Sequence, residues 1–125
     1  MRLTPFPFSI AYADTDAGGI VYHGRYLEIA ERARMSWLRG VTRAGDDIGF
    51  VIRELNIKYI RPLCLGDEFT VDGAIIKIGP VSMDMEQKFV KDGVVYAILT
   101  LTAVYIDKNM RPKRIPDQIL NIINK

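Results

Sequence analysis

The sequence predicts an α+β fold in which one long amphipathic helix packs on one face of an antiparallel sheet. Two patterns carry that prediction. An early stretch has apolar residues at helical spacing, and the chain after it alternates with a period of two, broken by glycine, proline and Asp-Gly. One helix followed by a run of strands is the order of an α+β domain, not of alternating βα units.

Residues 6–13 alternate apolar and small side chains and read as a first strand with a proline near its start. The loop 14–19, Asp-Thr-Asp-Ala-Gly-Gly, follows. From Tyr22 to Leu38, apolar residues recur at Tyr26, Leu27, Ala30, Ala33, Met35, Trp37 and Leu38, while Glu28, Glu31, Arg32 and Arg34 fill the surface between them. Arg39 sits in the last turn and Gly40 ends the pattern. Such a helix spans about 25 Å at 1.5 Å per residue, enough to cross a sheet.

Residues 50–60 alternate, with Leu55, Ile57 and Tyr59 on one face and Glu54, Asn56 and Lys58 on the other. Pro62 and Gly66-Asp67 interrupt before strands at 68–78 and 81–91, which Gly79-Pro80 separates. Asp92-Gly93 predicts a hairpin into 94–106, whose β-branched and aromatic run reads as a central strand. Asp107-Lys108-Asn109 turns the chain toward a short helix at 117–123. The four long strands are expected to form a meander. With the helix on one face, the other face meets solvent or a second subunit, so an oligomer is expected.

At 125 residues the chain makes one domain, 1–125, large enough for a core that needs no metal or disulfide. Hydrophobic residues at 49% and charged residues at 26% sit close to the globular average and favour neither disorder nor a membrane class. A formal charge of +2 gives no reason to expect nucleic acid as a partner. The lone Cys64 excludes an intramolecular disulfide; in its apolar run it reads as a small buried hydrophobe. The N-terminus has no signal peptide pattern, and a cytoplasmic location is expected.

Chemistry concentrates in residues 12–23, Tyr-Ala-Asp-Thr-Asp-Ala-Gly-Gly-Ile-Val-Tyr-His, which hold two carboxylates, two glycines and the chain's one histidine. If the segment is extended, Asp14 and Asp16 point the same way. Each could instead form the turn or cap the helix. Asp16, directly before Ala-Gly-Gly and the helix, is the better candidate for a reactive group. Gly18-Gly19 permits positive φ and close approach of a ligand to main chain. A carbonyl oxygen docked on the amide of Tyr22 or His23 would meet unpaired N–H groups and the positive end of the helix dipole. The His23 imidazole, placed within reach of Asp16, could bond substrate or carry a proton near neutral pH. One histidine, one remote cysteine and two aspartates make a poor metal site, so no metal is expected. No serine hydrolase elbow, Walker loop or HExxH motif appears, so a hydrolase here must use the carboxylate.

The run Tyr12-x-Asp14-Thr15-Asp16-Ala17-Gly18-Gly19-Ile20-Val21-Tyr22-His23-x-x-Tyr26, followed by Glu31-Arg32-Ala33-Arg34, resembles the hotdog-fold acyl-CoA thioesterases. Within them it is most like the YbgC type, associated with the bacterial Tol-Pal cluster, and more distantly similar to 4-hydroxybenzoyl-CoA thioesterase. Phe50-Val51-Ile52-Arg53, Tyr59-x-x-Pro62 and Gly79-Pro80-Val81-Ser82 extend the likeness along the chain. The resemblance implies a sheet wrapped around a central helix, with two subunits pairing sheets edge to edge as a homodimer or homotetramer. It implies Asp16 as catalytic nucleophile or general base, the His23 amide as carbonyl polariser, and Tyr12 and the His23 side chain as support. It implies an acyl-CoA or acyl carrier protein thioester as substrate, with Gly18, Gly19, Tyr22 and Ser82 near it. Arg53, Lys58 and Arg61 are candidates for the nucleotide phosphates, though each also reads as a solvated strand charge. No cofactor is expected, coenzyme A being part of the substrate. A peripheral link to envelope or lipid-metabolism complexes also follows from the resemblance. Two other readings remain open: a hotdog dehydratase or hydratase, against which Asp-Thr-Asp argues, and a non-catalytic acyl-CoA or acyl-carrier-binding protein.

Overall fold

The computed structural model describes residues 1–124. Five strands, β1 (Phe6–Ser9), β2 (Gly49–Tyr59), β3 (Glu68–Ile78), β4 (Ser82–Lys91) and β5 (Val94–Ile106), form one sheet in the order β1-β3-β4-β5-β2. Every neighbouring pair is antiparallel. The helix α1 (Arg25–Trp37) lies on one face, and a short α2 (Asp117–Ile123) buries Ile119 and Ile123.

The predicted period-two alternation places Phe69, Val71 and Ile75 of β3, Met83, Met85 and Phe89 of β4, and Ala97, Leu99, Leu101 and Ala103 of β5 on the buried face. From α1, Tyr26, Ile29, Ala30 and Ala33 meet them. Ala30 and Ala33 are fully buried, and their small side chains let the helix approach the sheet closely. The α+β expectation therefore holds, with the sheet wrapped on a single central helix as the hotdog resemblance implies. At 92–93, φ of +50° and +76° makes the mirror-image turn that Asp-Gly favours between β4 and β5.

Three expectations change. The strands are not a four-strand meander: β3, β4 and β5 are, but β2 pairs with β5 at the far edge. Alternation fixes which face a residue takes, not which strand lies beside it. The connector 60–67 must then cross one end of the sheet; on the way Ile60 and Arg61 donate to the Tyr96 carbonyl, and Leu65 donates to that of Gly19. The first strand stops at Ser9, because the Asp14 carboxylate takes the Ala11 amide and winds Tyr12–Asp14 into a single 3-10 turn. The long helix begins at Arg25, not Tyr22, because residues 20–22 are held in extended pairing: Ile20 bridges to Cys64, Val21 bridges to Thr15 and donates to the Leu63 carbonyl, and Tyr22 donates to the Asp14 carbonyl. Its 13 residues span about 20 Å. Cys64 is only partly buried, its amide bound to the Asp67 carboxylate. No helix among the described residues is long and apolar enough to cross a membrane.

Candidate active site

The loop ahead of α1 is a miniature hairpin. Tyr22 donates to the Asp14 carbonyl at 3.1 Å, Thr15 bridges to Val21, and Asp16 donates to the Ile20 carbonyl at 2.9 Å. A turn at 16–19 closes it, with Gly19 donating back to the Asp16 carbonyl at 3.1 Å. Gly19 has φ +80°, the freedom the sequence reading asked of it. At Gly18 the reason for glycine is different. Its amide donates to Oδ1 of Asp16 at 2.8 Å, and a Cβ there would stand 3.3 Å from that oxygen.

The two aspartates take opposite roles. Asp14 is 8% exposed; its Oδ2 accepts from the Ala11 amide at 2.9 Å and its Oδ1 lies 3.5 Å from Nε of Arg25. Asp16 is exposed, and its Oδ2 has no partner among the described residues. They do not share a face as an extended segment would require, because the 3-10 turn rotates Asp14 inward before Thr15 returns to extended backbone. Arg25 holds the arrangement together, donating also to the Ala13 carbonyl at 2.6 Å and to Glu28 at 2.6 Å. The sequence reading passed over Arg25. A signal was available: a cation in the first turn opposes the helix dipole and calls for a nearby anion.

The amides at the helix start are divided as sharply. The Tyr22 amide is taken by Asp14, so it is not free to hold a substrate carbonyl. The Tyr22 carbonyl accepts from Arg25 at 2.8 Å, along the helix. In a trans peptide the N–H points opposite to the C=O, so the His23 amide points back out of the helix toward the loop. It has no acceptor among the described residues. The hydroxyl of Tyr59 fixes the next peptide by donating to the His23 carbonyl at 2.7 Å. The imidazole of His23 is exposed and rests on the Tyr22 ring at 4.3 Å. Neither a hydrogen bond nor an ion pair joins it to Asp16 among the described residues, so the expected pairing of these side chains is not formed here.

Beside His23 a crevice of about 270 Å³ is lined by Ile20, Tyr26, Tyr59, Arg61 and Pro62 among others. The Tyr26 hydroxyl accepts from the Leu63 amide at 3.3 Å, and its ring meets Tyr59 edge-on at 5.0 Å. Burial raises the pKa of both phenols, which keeps them neutral hydrogen-bonding groups. Arg61 is therefore brought to the site. Tyr12 is adjacent in the chain but 82% exposed, its ring in solvent. Lys58 is exposed, one residue before Tyr59.

Arg53 and Ser82 are not brought there within one protomer. Arg53 sits at a bulge in β2, six residues and about 20 Å along the strand from Tyr59. Ser82 begins β4, about 23 Å along it from Phe89, which touches Tyr26. No cluster of side chains suited to a metal occurs among the described residues.

A family profile described as the thioesterase-like superfamily matches residues 10–123. The chain is 30% identical over 121 residues to the acyl-CoA thioesterase YbgC of Haemophilus influenzae, covering 91% of this chain and 89% of that protein. It is 29% identical over 122 residues to the acyl-CoA thioester hydrolase YbgC of Escherichia coli O6:H1, covering 92% and 91%. A solved probable thioesterase from Bartonella henselae superposes with a TM-score of 0.83 at 28% identity, covering 90% of this chain and 98% of that one.

Proposed function

Because the chain belongs to the thioesterase-like superfamily, we propose that it is an acyl-CoA thioesterase in which Asp16 supplies the reactive carboxylate. One observation carries the mechanism. A single loop-to-helix segment presents both an uncommitted carboxylate oxygen, Oδ2 of Asp16, and an unpaired amide, that of His23. A thioester carbonyl oxygen docked on that amide is polarised by the N–H and by the dipole of α1, and the negative charge that develops on it is stabilised. Asp16 then attacks the carbonyl carbon, or takes a proton from the water that does. The carbon–sulfur bond breaks, sulfur leaves as thiolate, and water supplies the oxygen and proton that complete the free acid and the thiol. A thiolate leaves without strong acid assistance, so the missing His23–Asp16 pairing is no obstacle. The imidazole, Tyr12 and Gly18 frame the substrate, and no cofactor enters.

The site is completed by a second subunit in this proposal. β2 is an edge strand of 11 residues; Val51, Ile52 and Tyr59 along it expose 37–46% of their surface, and Ile60 just past its end exposes 48%. Such an edge invites pairing with another copy. Antiparallel pairing of two full-length β2 strands would set Arg53 of one protomer opposite Leu55 of the other, about 13 Å along the strand from that Tyr59 instead of about 20 Å, and so nearer to Arg61, where the coenzyme A phosphates need cations. The homodimer could stack further into a tetramer through the outer sheet face. A cytoplasmic location suits the free thiol of Cys64.

The test is release of free thiol from a panel of acyl-CoAs, from acetyl to palmitoyl and including an aromatic acyl group. Catalytic release from at least one member is expected. Saturable binding of the panel with no thiol released would replace the enzyme by a binding protein.

A further inference from the structure

Away from the Asp16 loop, between the C-terminal half of α1 and the sheet, lies a cavity of about 330 Å³ lined chiefly by Met35, Trp37, Phe50, Met83 and Met85. One cation faces it, the partly buried guanidinium of Arg34. Nη1 of Arg34 donates to Oε1 of Gln87 at 2.9 Å. Gln87 is itself fully buried and held in orientation by donating through Nε2 to the Ala30 carbonyl at 2.9 Å. Nε and Nη2 of Arg34 have no partner among the described residues, and no carboxylate there lies within 4.0 Å of the guanidinium. Glu31, one turn earlier and exposed, lines the same cavity beyond that distance.

An arginine cannot shed its proton, so the charge persists beside apolar walls. The remaining donors form a fork matched to the two oxygens of a carboxylate. Thioether side chains adapt to apolar bodies of varied shape. The volume is near the lower end of the roughly 300–1,000 Å³ of small-molecule sites, which fits a medium-length chain and not a long one.

We propose that this cavity binds a small organic carboxylate, with Arg34 pairing the carboxylate and the methionine-lined cavity enclosing its apolar body. The carboxylate has two chemical sources: a free medium-chain acid, or an acyl group carrying a second carboxyl at its far end. The site lies nine helical residues from Arg25, about 13 Å along α1, and makes no use of Asp16.

Titration calorimetry on the full chain tests this with sodium octanoate, uncharged octanamide, and the non-hydrolysable thioether S-(7-carboxyheptyl)-coenzyme A. Octanoate is expected to saturate and to bind at least about tenfold more tightly than octanamide, with that advantage lost in Arg34→Gln. Met35→Trp, which narrows the cavity from its rim and leaves the charge in place, should weaken octanoate and octanamide alike; it also keeps the test valid should Arg34→Gln fail to fold. Arg34-dependent binding of octanoate assigns the site to a free acid. Arg34-dependent binding of the thioether alone assigns it to the distal carboxyl of a thioester. Octanamide binding measurably and as tightly as octanoate, or no Arg34-dependent binding of either carboxylate, overturns the proposal. None of these readouts involves thioester hydrolysis, so they stand or fall apart from the proposed activity.

Discussion

Gly73→Ala should destabilise this protein even though alanine suits a strand better than glycine does. Gly73 lies in the middle of β3, opposite Gln87 of β4, and Trp37 at the end of α1 lies flat against its Cα. A Cβ built there would stand 2.3 Å from Cη2 of Trp37 and 2.8 Å from both Cζ2 and Cζ3. Carbon atoms settle at about 3.5–4.0 Å, so ring or strand must yield by roughly 1.2 Å. The ring is not free to retreat, because its Nε1 donates to the Thr4 carbonyl at 2.6 Å. Overpacking of this kind costs about 1–3 kcal/mol, against about 0.5–1 kcal/mol returned by removing a strand glycine. The net loss of roughly 1–2 kcal/mol corresponds to a fall of about 3–10 °C in Tm for a domain of this size. Calorimetric or circular-dichroism melting measures it. Trp37→Leu in the same chain should recover part of the loss, giving a non-additive double mutant. A Gly73→Ala protein that melts at or above the wild-type temperature would refute the close approach of α1 to β3.

Arg25→Met removes the cation that joins the first turn of α1 to Asp14 and the Ala13 carbonyl. Turnover of a good acyl-CoA should fall by about tenfold or more through misplacement of the loop, with Tm lowered by only a few degrees; unchanged turnover would exclude Arg25 as a positioning residue. The pair Asp67–Lys91, bonded at 2.8 Å, should impose a pH dependence on stability. The bond to Lys91 holds the Asp67 pKa below its ordinary 3.8, and the bond to Asp67 holds the Lys91 pKa above its ordinary 10.5. The carboxylate's contribution is present above pH 3.8 and is lost as pH falls through its lowered pKa; the ammonium's is present below pH 10.5 and is lost as pH rises through its raised one. Melting curves of wild type and Asp67→Asn should therefore differ most between those limits and converge outside them. A difference independent of pH would contradict the pairing.

How much of this was legible depended on whether the signal was local. The strand 94–106 was legible to the residue, because β-branched and aromatic residues fill it and Asp92-Gly93 fixes its start. The position of β2 beside β5 was not, since its alternation is the same whichever neighbour it has. The helix starts three residues later than its spacing predicts, because Tyr22 closes a hairpin onto Asp14, a contact made only after the loop folds back. At the site, Asp16 stood out by its place before the two glycines. Arg25 and Tyr59 did not, nor did Gln87 beneath Arg34: on a helix or strand a charged or polar residue looks the same whether it faces water or a partner 36 or 57 residues away.

Comparing Asp16→Asn with Asp14→Asn, by thiol release and melting temperature together, tests the unequal roles of the two carboxylates most directly. The uncommitted oxygen of Asp16 predicts a folded Asp16→Asn protein of wild-type Tm whose turnover falls by about 100-fold or more. The buried, ion-paired Asp14 predicts a variant that loses Tm first. Near-wild-type thiol release by Asp16→Asn would contradict the account.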